Sequence, residues 1–325
     1  MNPGLQDFEP VLVLGFNRPH LLGALLRRLQ EGPPFRLYVA LDGPRSEYPG
    51  DVGLVQECRD EVESLDWPSE VRTLFQEKNR GCGASVTAAL TWFFEQEERG
   101  IVLEDDILPD LSFLPFCSEL LRRYEHDDRV FAISGSNVVP ATSQSSPDLP
   151  YRFSQVTHVW GWATWRRSWL QHKEDMSDWR EQLDAQTLWE RTGRSLTGAL
   201  FWGGFFDLVR RGVLDTWDVQ FVLAGMRAGQ LTATANANLT ENTGGGHDAT
   251  HENSTAYAAQ PVSSVDLPLV DVPVVCDDRA DEWTRIHHFQ ATVKARQAIA
   301  IRDPYFQGFV EDIRRISSQR ESTRR

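Results

Sequence analysis

Three carboxylates, Glu104, Asp105 and Asp106, follow directly on the apolar run Ile101, Val102, Leu103 in "GIVLEDDILPD", residues 100–110. Adjacent acids repel one another, and the end of a buried strand adds a desolvation cost, so the arrangement calls for a cation. Side chains alternate along a strand, which predicts Glu104 and Asp106 on one side and Asp105 on the other. An acid-x-acid pair of this kind suits hard Mg²⁺ or Mn²⁺, ions whose coordination is often completed by ligand phosphates. The plainer reading is a solvated acidic turn leading into a helix near Asp110. The apolar strand in front of the acids favours the metal, because ligands of open parallel sheets sit outside the carboxyl ends of strands.

Other polar turns end other predicted strands. "FNRP" (Phe16 to Pro19) follows the first, "DGP" (Asp42 to Pro44) the second and "KNRGCG" (Lys78 to Gly83) the third. Arg18 and Arg80 have the chemistry to meet an anion or stack on a base, and Asp42 can accept from a nucleobase N–H. Each of these alone also reads as an ordinary turn. "GCGASV" has Val86 where a dinucleotide fingerprint needs its third glycine, and no Walker A, H-E-x-x-H or G-x-S-x-G motif occurs. The glycine-rich stretch at 243–247 is expected to be a loop able to close over a ligand. Within and after it, His247 and His251 can touch phosphate or remain solvated. His287 and His288 are expected on a surface helix, without a role.

These turns need a frame. Residues 11–131 alternate continuous apolar runs ("VLVLGF", "RLYVALDGP", "EVRTLFQE", "GIVLEDD", "RVFAISG") with helical stripes such as Leu21, Leu22, Leu25, Leu26, Leu29 and Val86, Ala89, Leu90, Phe93, Phe94. That rhythm predicts an α/β fold with a mainly parallel, doubly wound sheet flanked by helices. Residues 156–217 are dense in tryptophan, expected to divide between core and an exposed aromatic platform. Asp218 opens a helix with the stripe Val219, Val222, Leu223, Met226, ending near Gly229. "QLTATANANL" reads as extended, residues 260–275 as extended and Pro/Val-rich, and 281–325 as mainly helical.

A formal net charge of −14 leaves no basic footprint, so nucleic acid is not an expected partner. The four cysteines, Cys58, Cys82, Cys117 and Cys276, form no C-x-x-C pair and are expected to be reduced thiols in a cytoplasmic protein. "MNPGLQDFEP" lacks the n- and h-regions of a signal peptide, and no run reaches membrane-spanning length. The tail "RRISSQRESTRR", with Arg314, Arg315, Arg320, Arg324 and Arg325, is expected to be a solvated helix end, or a weak contact with an anionic surface at the inner membrane face.

Taken together, "PVLVLGFNRPHLLGALLRRL", "VALDGP" and "IVLEDDILPDLSFLPF" resemble GT-A nucleotide-sugar glycosyltransferases, closest to the N-acetylglucosaminyltransferase I-like branch with its E-D-D form of the DXD motif. "HVWGWATWRRSW", "DTWDVQF" and "NLTENTGGGHDATH" resemble related bacterial sugar transferases. The resemblance covers about residues 10–255. It implies a single GT-A (Rossmann-like) catalytic domain with a C-terminal helical extension. Residues 1–135 would bind the nucleotide-sugar, 136–255 would bind the acceptor and carry catalysis, and 256–325 would form an extended segment and helical tail. It implies a metal-dependent, inverting hexosyl- or N-acetylhexosaminyltransferase that moves sugar from a UDP-sugar to a saccharide or other hydroxyl acceptor, with Mn²⁺ or Mg²⁺.

By position, Asp106 matches the direct metal ligand. Glu104 and Asp105 match residues that hold the ribose and the metal's waters. Arg18 and Asp42 match base-binding turns, and Asn79 and Arg80 match more loosely. The branch places its base at a helix start in a Trp/Asp-rich segment, which Asp218 fits. Asp215 competes, because the branch has adjacent aspartates there. A helix N-cap is the structural reading of Asp218. Two alternatives stand beside this. A sugar nucleotidyltransferase would want a lysine-bearing glycine loop after strand one, which "GFNRPHLLG" lacks. A non-catalytic sugar- or nucleotide-binding protein would not need Glu104, Asp106 and Asp218 together.

Overall fold

The computed structural model describes residues 8–244 and 260–323. In chain order it forms β1 (Val11–Gly15), α1 (Pro19–Gln30), β2 (Leu37–Leu41), α2 (Gly50–Glu63), β3 (Val71–Phe75), α3 (Cys82–Gln96), β4 (Arg99–Glu104), β5 (Ile107–Pro109), α4 (Phe113–Arg123) and β6 (Val130–Ser134). Then come β7 (Tyr151–Ser154), β8 (Trp162–Trp165), α5 (Arg166–Trp169), α6 (Trp179–Gln182), α7 (Ala185–Arg191), α8 (Leu196–Arg210), α9 (Asp218–Ala228), β9 (Leu231–Ala235) and β10 (Thr240–Asn242). The chain closes with α10 (Asp278–Trp283), α11 (Ala291–Ile299) and α12 (Pro304–Thr323).

Eight strands make one sheet in the order β3-β2-β1-β4-β8-β6-β9-β7, and β5 pairs with β10 in a separate ribbon. Six strands, β1, β2, β3, β4, β6 and β9, point the same way, while β7 and β8 run against their neighbours. The chain is therefore a mixed α/β fold with a mostly parallel central sheet flanked by helices. The connection from β6 to β7, residues 135–150, holds the 3₁₀ turn Ala141–Ser143 and no crossover helix, and β7 closes the sheet antiparallel to β9. Strands from residues 136–255 thus share one sheet with strands from residues 1–135.

The continuous apolar runs are explained by burial on both faces. Val11 and Val13 face Leu22, Leu25 and Leu26 of α1, in the same core as Phe116 and Leu120 of α4. Leu12, Leu14 and Val102 share the opposite core with Leu90 and Phe93 of α3 and Phe221 of α9. A third core joins Trp189, Phe206, Ala295 and Phe309 from α7, α8, α11 and α12.

Three expectations change. Helix α2 has no counterpart in the sequence reading, although Val55, Cys58 and Val62 give it a buried stripe. The tryptophans are core residues: Trp162, Trp165, Trp169, Trp179, Trp189, Trp202 and Trp217 are all buried, and Trp160 alone of that set is half-buried. His288 is buried, not on a surface helix. It lies in a π-helical turn, Thr284–His288, with its ring 5.3 Å from that of His158. The four cysteines are unpaired. Among the described residues no helix is long and apolar enough to cross a membrane.

Candidate active site

The carboxyl ends of β1, β2 and β4 open into a cleft of about 1110 Å³. Arg18, Asp42, Asn79, Glu104 and Asp105 all line it. Asp106, Arg80 and Asp218 stand at its margin: Asp106 is tied to Arg18, Arg80 donates its N–H to Asp42, and Asp218 is close enough to perturb Glu104. The fold thus brings Arg18, Asp42, Asn79, Glu104 and Asp105 to one sheet edge, with Asp106 and Arg80 bonded to them and Asp218 nearby on α9.

Within the acidic triplet, β4 ends at Glu104, and Asp105 and Asp106 lie in the turn before β5. Glu104 pairs with Leu14 in the ladder and shares the face of Val102, toward α3 and α9. Asp105, on the opposite face, is buried. The expected alternation therefore holds for these two, and Asp106, in the turn, is the strongest charge acting on Glu104. Arg18 binds both aspartates, Asp105 through Nε at 3.2 Å and through Nη2, and Asp106 through Nη1 at 2.9 Å. Asp106 is also where the glycine-rich stretch begins. Its carbonyl accepts from the Thr243 N–H at 2.8 Å, and a Cβ on Gly244 would collide with its carboxylate. Gly245, Gly246, His247 and His251 lie outside the described residues.

The electrostatics follow from crowding. Burial, then Asp106, Asp105 and Asp218, push the half-buried Glu104 carboxyl up to about 8. Burial pushes Asp105 up to about 6 against the pull of Arg18. Arg18 itself is held charged by Asp105 and Asp106, although burial opposes it. Burial, then Glu104, Asp215, Asp218 and Asp42, push the Cys82 thiol up to about 12, which makes it a poor nucleophile.

Asp42 works on the loop that follows β3. Its carboxylate accepts from Gly43 N–H at 2.8 Å, Asn79 Nδ2 at 2.9 Å and Arg80 N–H at 3.0 Å. Gly43 is required there, since a Cβ would run into the backbone of Lys78. Asn79 and Arg80 are thereby fixed by Asp42, which still borders the cleft.

A neighbouring arrangement escaped the sequence reading. Asp51, buried on α2, accepts from Asn17 Nδ2 at 2.9 Å and takes Arg45 through Nε at 2.6 Å and Nη2 at 3.0 Å. The Arg45 guanidinium lies 4.0 Å from the Tyr48 ring centroid and 5.2 Å from that of Phe16. Arg45 above all, with help from Asn17, holds the Asp51 carboxyl down to about 2 against burial. That lies below the unfolded value of about 3.9. The stabilisation is therefore complete above about pH 4 and is lost as pH falls toward 2. Asp51→Asn is expected to flatten the loss of stability between pH 4 and pH 2.5, measured as the shift in urea midpoint. An unchanged acid slope would show that this carboxylate is not coupled to folding.

The loop between α8 and α9 carries Asp215, which lines the cleft, and α9 opens on Asp218. Asp215 Oδ1 accepts from the Gly83 N–H at 3.0 Å, capping the start of α3 from 132 positions away. Asp218 is the first residue of α9, not its N-cap, a place held by Trp217. Its Oδ1 accepts from the Val219 N–H at 2.9 Å and from the Thr216 hydroxyl. Asp215 is bonded to a distant element and Asp218 to its own sequence neighbours, and no local pattern in the sequence signals the partner of Asp215.

The donor set at the β4 end is all carboxylate oxygen, which fits a hard divalent cation. Among the described residues no three His, Cys, Asp or Glu side chains already surround one point. An ion here would be held by Asp106, with Glu104 in electrostatic reach, and completed by ligand oxygens and water, as is common for Mg²⁺ beside substrate phosphates.

No protein-family model matches the chain, and no curated protein matches it significantly. Among solved structures it is similar to the crystal structure of HddC from Yersinia pseudotuberculosis. The two share 12% sequence identity at a TM-score of 0.30, over 49% of this chain and 77% of that chain.

Proposed function

We propose that the chain is a metal-dependent, inverting glycosyltransferase of the GT-A type, moving a sugar from a UDP-sugar to a hydroxyl acceptor. The observation that carries the reading is the meeting of Arg18, Glu104, Asp105 and Asp106 at one strand end, with Asp218 in electrostatic reach of Glu104. Mn²⁺ or Mg²⁺ held by Asp106 would offset the charge of the departing diphosphate. Arg18 supplies a fixed cation for that same charge. Asn79 and Arg80, held by Asp42, border the nucleoside end, where Phe16 and Arg45 offer a flat wall.

Asp218 takes the proton. The acceptor O–H breaks, its proton passes to Oδ2 of Asp218, and the acceptor oxygen bonds to the anomeric carbon on the face opposite the leaving group. The bond from that carbon to the phosphate oxygen breaks, and its electron pair leaves with the diphosphate. Inversion follows from this single displacement.

The test is thermal unfolding with UDP, other nucleoside diphosphates and a panel of nucleotide sugars, each with and without Mn²⁺. A ligand present at about 100 times its Kd stabilises by about 2.7 kcal/mol, a shift of a few degrees in Tm. The expected result is a shift for UDP ligands that requires the metal. No shift with any nucleotide, with or without Mn²⁺, would overturn the reading.

A further inference from the structure

We propose that Thr216 is a positioning residue, whose hydroxyl locks the Asp218 carboxylate so that one oxygen is held and the other is presented to the acceptor hydroxyl. The inference rests on the reading of Asp218 as the base and adds the group that aims it.

Thr216 is buried, and its Oγ1 donates to Asp218 Oδ1. The Val219 N–H donates to the same oxygen at 2.9 Å. Two donors therefore converge on Oδ1, while Oδ2 takes no hydrogen bond among the described residues. A carboxylate held by one oxygen keeps the lone pairs of the other for an incoming proton. With both donors in place, rotation about the Asp218 side chain costs a hydrogen bond, so the productive orientation is set before the acceptor arrives.

Thr216 is itself fixed, which makes it able to aim another residue. Its carbonyl accepts from Nε2 of the buried Gln220 at 2.8 Å and packs against Gly83 at the start of α3. On one side, Asp215 is tied to the Gly83 N–H. On the other, the Trp217 ring stacks on Trp162 at 5.3 Å with 24° between planes. Every residue from 215 to 218 thus has its own anchor. The anchors come from α3, β8 and α9, so the turn is rigid relative to the strand that ends in Glu104. Capping alone does not account for Thr216, because it bonds the side chain of Asp218 and no backbone N–H of α9.

The experiment compares Thr216→Val, which removes the hydroxyl at nearly constant shape, with Thr216→Ser, which keeps it. It reads sugar transfer, UDP affinity and Tm in the full chain. Loss of one hydrogen bond to a charged group predicts a fall in kcat of about 10- to 100-fold for the valine variant. Donor KM and UDP affinity should stay within about 2-fold of wild type, the signature of an interaction that matters only in the transition state. Serine should restore most of the rate. In an Asp218→Asn background, Thr216→Val should cost nothing further, since a residue acting through Asp218 has no second target. If the valine variant does not fold, Thr216→Ala carries the same comparison.

A valine variant with kcat near wild type overturns the proposal. Valine and serine falling alike does so too, because that points to packing. A further loss on the Asp218→Asn background shows that Thr216 acts independently. If Asp218→Asn alone transfers sugar at the wild-type rate, the base assignment itself falls, and the role of Thr216 with it.

Discussion

Asp218→Asn is expected to lower kcat by at least about 10²-fold while Tm and UDP affinity stay near wild type. The size is the usual one for loss of a general base. The selectivity follows from the geometry. Asparagine offers a carbonyl Oδ1 in the place of the carboxylate oxygen, so the bonds from the Val219 N–H and the Thr216 hydroxyl both survive. What is lost is the basicity of the other oxygen. Arg18, Asp42 and Asn79 come from the turns after β1, β2 and β3, and the substitution touches none of them. Asp215→Asn is the comparison, and it should transfer sugar at nearly the wild-type rate. Its side-chain oxygen can still accept from Gly83, since asparagine caps a helix about as well as aspartate. Transfer assays on both variants, with melting curves alongside, decide the matter. If Asp218→Asn turns over at close to the wild-type rate, Asp215 becomes the first suspect. A product that keeps the donor's anomeric configuration would remove the inverting scheme altogether.

Asp106→Ala is expected to abolish the metal-dependent part of UDP binding and leave the fold intact. The fold should survive because Arg18 keeps both of its bonds to Asp105. The join of β10 to β5 should survive too, because it uses the Asp106 carbonyl, which alanine retains. Metal affinity should fall because no other carboxylate among the described residues shares the position of Asp106 beside Arg18, Glu104 and Gly244. Calorimetry of UDP with and without Mn²⁺ measures the effect. Wild type should bind at least about 10-fold tighter with the metal, worth about 1.4 kcal/mol. The variant should show the same affinity in both conditions. A metal-linked gain in the variant equal to that of wild type would remove Asp106 from the coordination shell.

Much of this molecule was legible from short-range pattern. Runs such as "VLVLGF" and "GIVLEDD" marked strands buried on both sides, because only such strands lack alternation. The α9 stripe from Asp218 to Met226 and its end before Gly229 followed from the 3.6-residue period. A parallel sheet also brings strand ends to one edge by construction, so the sequence alone places Arg18, Asp42, Asn79 and the acidic triplet together.

The sequence by itself determined which residues meet at that edge, because strand direction and strand ends are local properties repeated along the chain. Only the tertiary structure decided how those residues are paired. That Asp215 caps α3, that Arg18 bridges Asp105 and Asp106, and that Asp51 holds Asn17 and Arg45 depend on contacts between elements. Such contacts carry no periodic signature. The reversal of β7 and β8 and the burial of the tryptophans belong with them. Each is settled by which edge and which apolar face finds a partner once the sheet has formed.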